Sequence, residues 1–338
     1  MLHQTTSTRK RSLLSKQELA LVGITAIWGT TFLIVHLAVQ HSDPLFFVGV
    51  RFLIAGAIAA LVFARALRGM TWRDLGAGAA IGVMIYLGYG LQTIGLLTIP
   101  SSTSAFITAL YVPMVPLLQW AVFRKAPKWA TWVGIALAFG GLLLLAGPTA
   151  TGLSLGTGEL LTLISTVAIA GEIILVAIFA RTVDVRRVTV VQLVVAGGLA
   201  LLTMPVVGET VPAFSWAWLL PAIILGAASA LIQLTINWAQ QTVSPTRATV
   251  IYAAEPVWAG IIGRVAGERL PGLAVVGALF IVAGVLVSEL KPRVRSTGAE
   301  RQVTDQGRPQ HDARPRRRAR KPSTPRSVRR PRARSTDR

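Results

Sequence analysis

Ten stretches of about 20 apolar residues, each nearly free of charge, follow one another along the chain and leave it few ways to fold. They run over 19–39, 44–64, 75–97, 102–123, 129–147, 159–180, 188–207, 216–238, 246–266 and 271–290. A hydrocarbon core of about 30 Å takes about 20 residues at a helical rise of about 1.5 Å, so each stretch matches one crossing. An unpaired backbone group in lipid costs several kcal/mol, which leaves helices rather than open strands as the spanning form. The expected fold class is therefore all-α integral membrane, with ten transmembrane helices. Turn chemistry at Ser42-Asp43-Pro44, Ile99-Pro100-Ser101-Ser102, Gly147-Pro148 and Gly267 before Pro271 separates them. The composition, 53% hydrophobic and 14% charged, argues against a soluble domain of the ordinary kind. The absence of Cys excludes disulfides and thiolate metal sites.

Basic residues mark one face of the bundle. Arg9, Lys10, Arg11 and Lys16 precede the first stretch. Arg65, Arg68 and Arg73 follow the second, Arg124, Lys125 and Lys128 the fourth, and Arg181, Arg186 and Arg187 the sixth. The loops after stretches one, three, five and seven carry no Lys or Arg. Short basic loops stay cytoplasmic, so both termini of this multi-pass chain are expected in the cytoplasm. One loop disobeys: Arg264 and Arg269 fall outside, partly offset by Glu268. The first stretch is longer than a signal-peptide core and no cleavage pattern follows it, so it reads as a spanning helix.

Sliding the chain over itself exposes a weak repeat. At a shift of 143, Ser101 meets Ser244, Pro113 meets Pro256, Gly134 meets Gly277 and Gly141 meets Gly284; at 141, Glu18 meets Glu159 and Ala55-Gly56 meets Ala196-Gly197. Chance matching among Ala, Leu and Gly is the alternative, which the paired prolines disfavour. Five helices per copy is an odd number, so the second copy must lie inverted in the bilayer. The domain reading is a cytoplasmic segment 1–17, a first repeat 18–148, a second repeat 149–290 and a tail 291–338. Inverted repeats place a binding site near the midplane, where rocking of the halves gives alternating access.

Polar groups inside the spans are few, and each must be offset by a partner or an aqueous cavity. Glu255 lies near the centre of the ninth stretch beside Pro256, which removes a backbone donor and bends the helix at that depth. Proton binding at Glu255 is a candidate coupling step; pairing with Arg51, or a permanent hydrogen bond within the bundle, is the alternative. Arg51 either binds an anion or reaches outward to the interface. Glu172 lies past the middle of its helix and matches Thr31 of the first repeat, so the halves are chemically unequal. Gln233 and Asn237 continue a small and polar stripe on the eighth stretch, and Tyr252 sits on one beside Glu255. Tyr111 ends such a face on the fourth, Gln92 is isolated in the third, and Trp28 and Thr31 mark the first. Helix packing explains any one of these residues; together they favour a wet central cavity for a small-molecule substrate.

Trp28-Gly29-Thr30-Thr31-Phe32, then Arg51-Phe52, Ser102 to Pro113, and Glu255-Pro256 followed by Gly267-Glu268-Arg269-Leu270 resemble, in order, landmarks of EamA-type members of the drug/metabolite transporter superfamily. The likeness covers Glu18 to Leu290. The ten-helix inverted duplication supports it, and it implies a secondary transporter, commonly an exporter of metabolites, amino acids or drugs in a bacterial cytoplasmic membrane. The chain departs from the pattern in carrying Lys125 opposite Glu268.

Residues 291–338 hold 17 of the 34 Lys and Arg and only 4 of the 14 Asp and Glu, with no Ile, Leu, Met or aromatic residue. Such a segment cannot bury a core and is expected to be disordered, lying against anionic lipid rather than binding nucleic acid specifically. Two other functions compete. An intramembrane enzyme lacks H-E-x-x-H, G-x-S-x-G and any Asp within a span, so neither catalytic residues, metal nor cofactor are expected. A scaffold tethering the tail to a partner would make Glu255 dispensable.

Overall fold

The structure, a computed structural model, describes residues 15–124, 126–127, 129–146, 148–149, 152–153 and 155–288. Most of the expected segment 1–17 and the whole expected tail 291–338 lie outside the described residues. Helix α1 (Lys16–Ala38) begins where the Glu18 N–H donates to Ser15 Oγ at 3.2 Å and the Ser15 N–H donates back to the Glu18 carboxylate at 2.8 Å. Pro44, free of any need to donate in a first turn, opens α2 (Pro44–Val62). The short α3 (Ala64–Leu67) follows, and Thr71 with Asp74 forms a second reciprocal cap on α4 (Trp72–Gly95). Next come α5 (Ser101–Thr108), α6 (Tyr111–Phe123) and α7 (Trp129–Ala146). A two-residue antiparallel hairpin of β1 (Pro148–Thr149) and β2 (Gly152–Leu153) leads to α8 (Thr157–Phe179). The chain then forms α9 (Val185–Thr203), a 3-10 turn at Met204–Val207, α10 (Trp216–Ala239), α11 (Pro245–Tyr252), α12 (Glu255–Val265) and α13 (Gly272–Ser288).

Among the described residues, seven segments are long and apolar enough to cross a bilayer: α1, α2, α4, α5 with α6, α8, α9 with its 3-10 turn, and α10. Helices α7 and α13 are shorter apolar helices. The fourth and ninth stretches are each broken rather than continuous, at Ala109-Leu110 and Ala253-Ala254. The cause is in the sequence. Pro113 cannot donate to the Ala109 carbonyl, which instead takes the Val112 N–H at 3.1 Å in a tighter 3-10 turn. Pro256 removes the matching donor in the second half, where the Ala254 N–H turns to Ile251 at 3.2 Å. Leu110 and Ala253 are 143 residues apart, the shift that relates the halves.

Glycines set the closest helix approaches. A Cβ on Gly141 would stand 2.5 Å from the Gly277 carbonyl oxygen, and one on Gly284 would stand 2.6 Å from that of Gly134. Helices α7 and α13 therefore touch backbone to backbone and run antiparallel. The 143-residue shift converts the first of these contacts into the second. Helices α2 and α9 repeat the relation at 141: a Cβ on Gly56 would lie 2.8 Å from Val194 Cγ2, and one on Gly197 would lie 2.8 Å from the Leu53 nitrogen.

Loops from the two halves meet at each end. At one end Asp74 accepts the Asp184 N–H at 3.1 Å and pairs with Arg187 at 3.2 Å, while Arg187 Nε donates to the Ala66 carbonyl at 2.8 Å. Hydrogen bonding from Arg186 holds the Asp184 carboxyl below its ordinary value, against a smaller upward push from burial. At the other end Glu209 accepts the N–H groups of Leu45 at 2.8 Å and Phe46 at 3.1 Å, and Asp43 accepts that of Thr210 at 3.0 Å. The basic loops before α4 and before α9 thus lie side by side, away from the acidic loops.

Candidate functional site

The three charges deep within the spans, Arg51, Glu172 and Glu255, are each at most 2% exposed, and no two of them pair. Glu255 is the first residue of α12, so the helix break holds it beside the start of α6. There the Tyr111 hydroxyl donates to Glu255 Oε2 at 3.2 Å, while Oε1 is buried without a partner among the described residues. Trp28 of α1 stands edge-on to Tyr252 of α11, their centroids 5.7 Å apart. The α1 backbone reaches this place because residue 29 is glycine: a Cβ there would lie 2.9 Å from the Glu255 carbonyl oxygen and 2.7 Å from Trp258 Cβ.

Arg51 does not neutralise Glu255. Its Nε donates to Ser229 at 2.8 Å, and its guanidinium carbon stands 5.2 Å from the ring centres of both Phe52 and Tyr89. Aromatic faces and one hydroxyl thus share the cation, which neither reaches the interface nor joins an ion pair among the described residues. The two rings that flank the cation meet edge-on, the Phe52 and Tyr89 centroids 5.0 Å apart.

Glu172 terminates a chain of amides. Gln233 Nε2 donates to Glu172 Oε1 at 3.0 Å, Gln192 Nε2 to Gln233 Oε1 at 2.9 Å, and Asn237 Nδ2 to Gln192 Oε1 at 3.0 Å and Thr189 Oγ1 at 2.9 Å. Each amide gives its hydrogen towards the carboxylate, the orientation that stabilises negative charge there. The second oxygen of Glu172 is also buried and unpaired among the described residues. In Gln233→Leu the carboxylate loses its donor and Gln192 its acceptor. That change is expected to lower folding stability by about 1–3 kcal/mol, read as an earlier thermal transition of the purified protein.

Of the remaining residues singled out from sequence, Gln92 donates to Thr108 at 2.9 Å, tying α4 to the end of α5 just before the break. Thr31 turns its hydroxyl to its own helix, at the Trp28 carbonyl 2.7 Å away. The polar stripes of α8, α9 and α10 hydrogen-bond to one another, and Glu255 is shut from solvent in this conformation. Tyr89 and Gln192 were not singled out from sequence. Both had a three-residue spacing that could have identified them: Tyr89 lies between Tyr86 and Gln92 on α4, and Gln192 follows Thr189 on α9.

Two contacts close the ends of the broken spans. At one, the N–H and hydroxyl of Ser101 donate to Glu268 Oε1 at 3.0 and 2.6 Å, and those of Ser102 to Oε2 at 3.1 and 2.5 Å. Gly267, at φ +97°, turns the chain back so that Glu268 can reach the start of α5. Burial pushes the Glu268 carboxyl up, but the four hydrogen bonds together outweigh it and hold it below the ordinary carboxylate value. At the opposite end, Arg247 near the start of α11 pairs with Glu18 of α1, with Arg247 largely exposed.

A profile of the EamA-like transporter family matches residues 15–147 and again 156–290, one copy on each half of the chain. The chain belongs to the EamA-like transporter family. Curated relatives agree in length and kind. An uncharacterized transporter of Archaeoglobus fulgidus is 27% identical over 81% of this chain and 86% of its own length. The uncharacterized inner membrane transporter YedA of Escherichia coli K12 is 26% identical over 81% and 93%. The uncharacterized transporter YwfM of Bacillus subtilis is 26% identical over 80% and 92%. A solved crystal structure superposes with a TM-score of 0.62 at 19% identity, covering 84% of this chain and 99% of that one, a likeness of fold. This EamA-family protein is accordingly a multi-pass membrane transporter.

Proposed function

We propose that the chain is a secondary transporter that moves a small metabolite, amino acid or drug across the cytoplasmic membrane by alternating access, coupled to protons through Glu255. Its ten spans form two inverted five-helix repeats, 18–148 and 149–290, with both termini cytoplasmic and the basic tail lying on anionic lipid. The observation that carries the reading is the carboxylate of Glu255, set at a helix break between the halves with one oxygen unpaired among the described residues. An ionised carboxylate so placed costs several kcal/mol unless a proton or a cationic group on a substrate arrives. The symmetric antiparallel contacts of α7 with α13 and of α2 with α9 support the inversion. Trp28, Tyr111 and Tyr252 supply aromatic walls, and Arg51 supplies a cation for the opposite end of a zwitterion. The test is uptake into vesicles holding the purified protein under an imposed proton gradient, across a panel of amino acids, metabolites and cationic drugs. Gradient-driven uptake of at least one of them is expected; uptake of none would remove the reading.

The two end contacts are the latches such a cycle needs. Glu268→Ala removes all four hydrogen bonds that hold α5 to the turn after α12, while Arg247→Ala breaks one ion pair whose cation is largely exposed and leaves Glu18 its bonds to Ser15. Spin labels on introduced cysteines, in a chain with none of its own, are expected to show longer distances at the α5 end in Glu268→Ala. Arg247→Ala is expected to lengthen those at the α11 end by a smaller population. Because the Glu268 carboxyl sits below its ordinary value, the latch is fully present above that value and weakens only as pH falls through the lower folded one. Between about pH 5 and 8 its strength is constant.

A further inference from the structure

A groove of about 730 Å³ opens between α5, α12 and α13, away from the buried cluster around Glu255. Its walls are apolar: Phe106 from α5, Val257 from α12, Val275 and Leu279 from α13. It exists because residue 260 is glycine, where a Cβ would already stand 3.2 Å from the Phe106 ring. That volume is of the size that takes an organic molecule rather than an ion. Val257, Val275 and Leu279 are exposed, so the groove faces outward from the bundle, where acyl chains lie.

Arg264 lines the same groove, is exposed, and has no ion-pair partner among the described residues. The acid nearest in sequence, Glu268, also borders the groove, but its two oxygens are occupied by Ser101 and Ser102. The rim therefore carries the Arg264 cation, free of an ion pair among the described residues, above an apolar slot, with the ionised Glu268 beside it turned over to the two serines. Arg264 is also one of the two arginines that break the charge pattern of the loops. A basic residue that opposes the topology signal needs some other use, and a phosphate at headgroup depth is the complement of this rim.

We infer that this groove is a binding site for an anionic phospholipid of the surrounding bilayer, its phosphate on Arg264 and one acyl chain laid between α12 and α13. The inference does not depend on which leaflet the groove lies in, nor on the transported substrate.

The test uses the full chain in vesicles containing phosphatidylglycerol or phosphatidylcholine with a photoreactive group on the acyl chain, at equal mole fraction. Labelled peptides spanning 257–282 are quantified by mass spectrometry, so lipid gathered elsewhere, by the basic tail for instance, does not enter the reading. Phosphatidylglycerol is expected to label this segment about fivefold more than phosphatidylcholine, the preference one charge near the surface can confer. Arg264→Gln should bring it down to the phosphatidylcholine level and leave phosphatidylcholine labelling unchanged, while Arg264→Lys keeps most of the preference. Val275→Trp should reduce labelling by both lipids by filling the slot. Equal labelling by the two lipids in the unsubstituted protein, or a preference that survives Arg264→Gln, overturns the inference. So does a loss from both lipids alike in Arg264→Gln, which would mean an apolar cleft without headgroup recognition.

Discussion

In Glu255→Gln, uptake driven by a proton gradient is expected to fall below about one tenth of that of the unsubstituted protein, while substrate exchange without a gradient persists. A decade in rate corresponds to about 1.4 kcal/mol, a small part of what an unpaired interior charge costs. Glutamine keeps the shape of the side chain and an oxygen for the Tyr111 hydroxyl, so the α6–α12 junction is retained. What it removes is the ability to exchange a proton. Uptake by the unsubstituted protein should depend on pH and that by Glu255→Gln should not, and since the Glu268 latch is constant over the same range, the difference reports Glu255. An unchanged pH profile in Glu255→Gln would end the coupling assignment and leave the alternating-access reading to be judged on exchange alone. Loss of function on deleting 291–338, with Glu255→Gln fully active, would instead favour a scaffold.

Gly29→Ala is expected to damage transport nearly as much, through packing rather than chemistry. The added methyl would meet Trp258 Cβ at 2.7 Å, and the Ala259 nitrogen and the Glu255 carbonyl oxygen each at 2.9 Å. Backbone atoms cannot rotate away, so α1 and α12 must separate, at about 1–3 kcal/mol for overpacking of this kind. The displaced segment is the first turn of α12, which carries Glu255. Gly29→Ala should therefore show an earlier thermal transition together with slower uptake. Gly23→Ala, at a position of the same helix where a Cβ has open space, should change neither. Equal effects at the two glycines would mean that the α1–α12 contact does not position the carboxylate.

How much of this was legible beforehand can be judged from particular residues. The apolar stretches marked the helices because lipid admits no other use of such runs, and Pro256, which the repeat matches to Pro113, marked where the ninth of them bends. They did not reveal that the bend is a complete break, which depends on the preceding carbonyls finding 3-10 donors. The depth of Glu255 could be counted from its span; that Tyr111 rather than Arg51 would be its partner could not. Arg51 is drawn to Ser229, Phe52 and Tyr89 by the way α2 packs against α4 and α10, and no spacing along one helix encodes that.

By itself, then, the order of residues determined an α-helical membrane protein with a repeated plan and a short roster of interior polar groups, since these follow from length, hydropathy and local backbone chemistry. Only the tertiary structure decided which of those groups meet. It joined Glu172 to Asn237 through Gln233 and Gln192, left one oxygen of Glu255 without a donor among the described residues, and seated Glu268 on α5. The amide chain and the Glu268 contact each link helices far apart in the chain, and no spacing along a single helix encodes such a partnership.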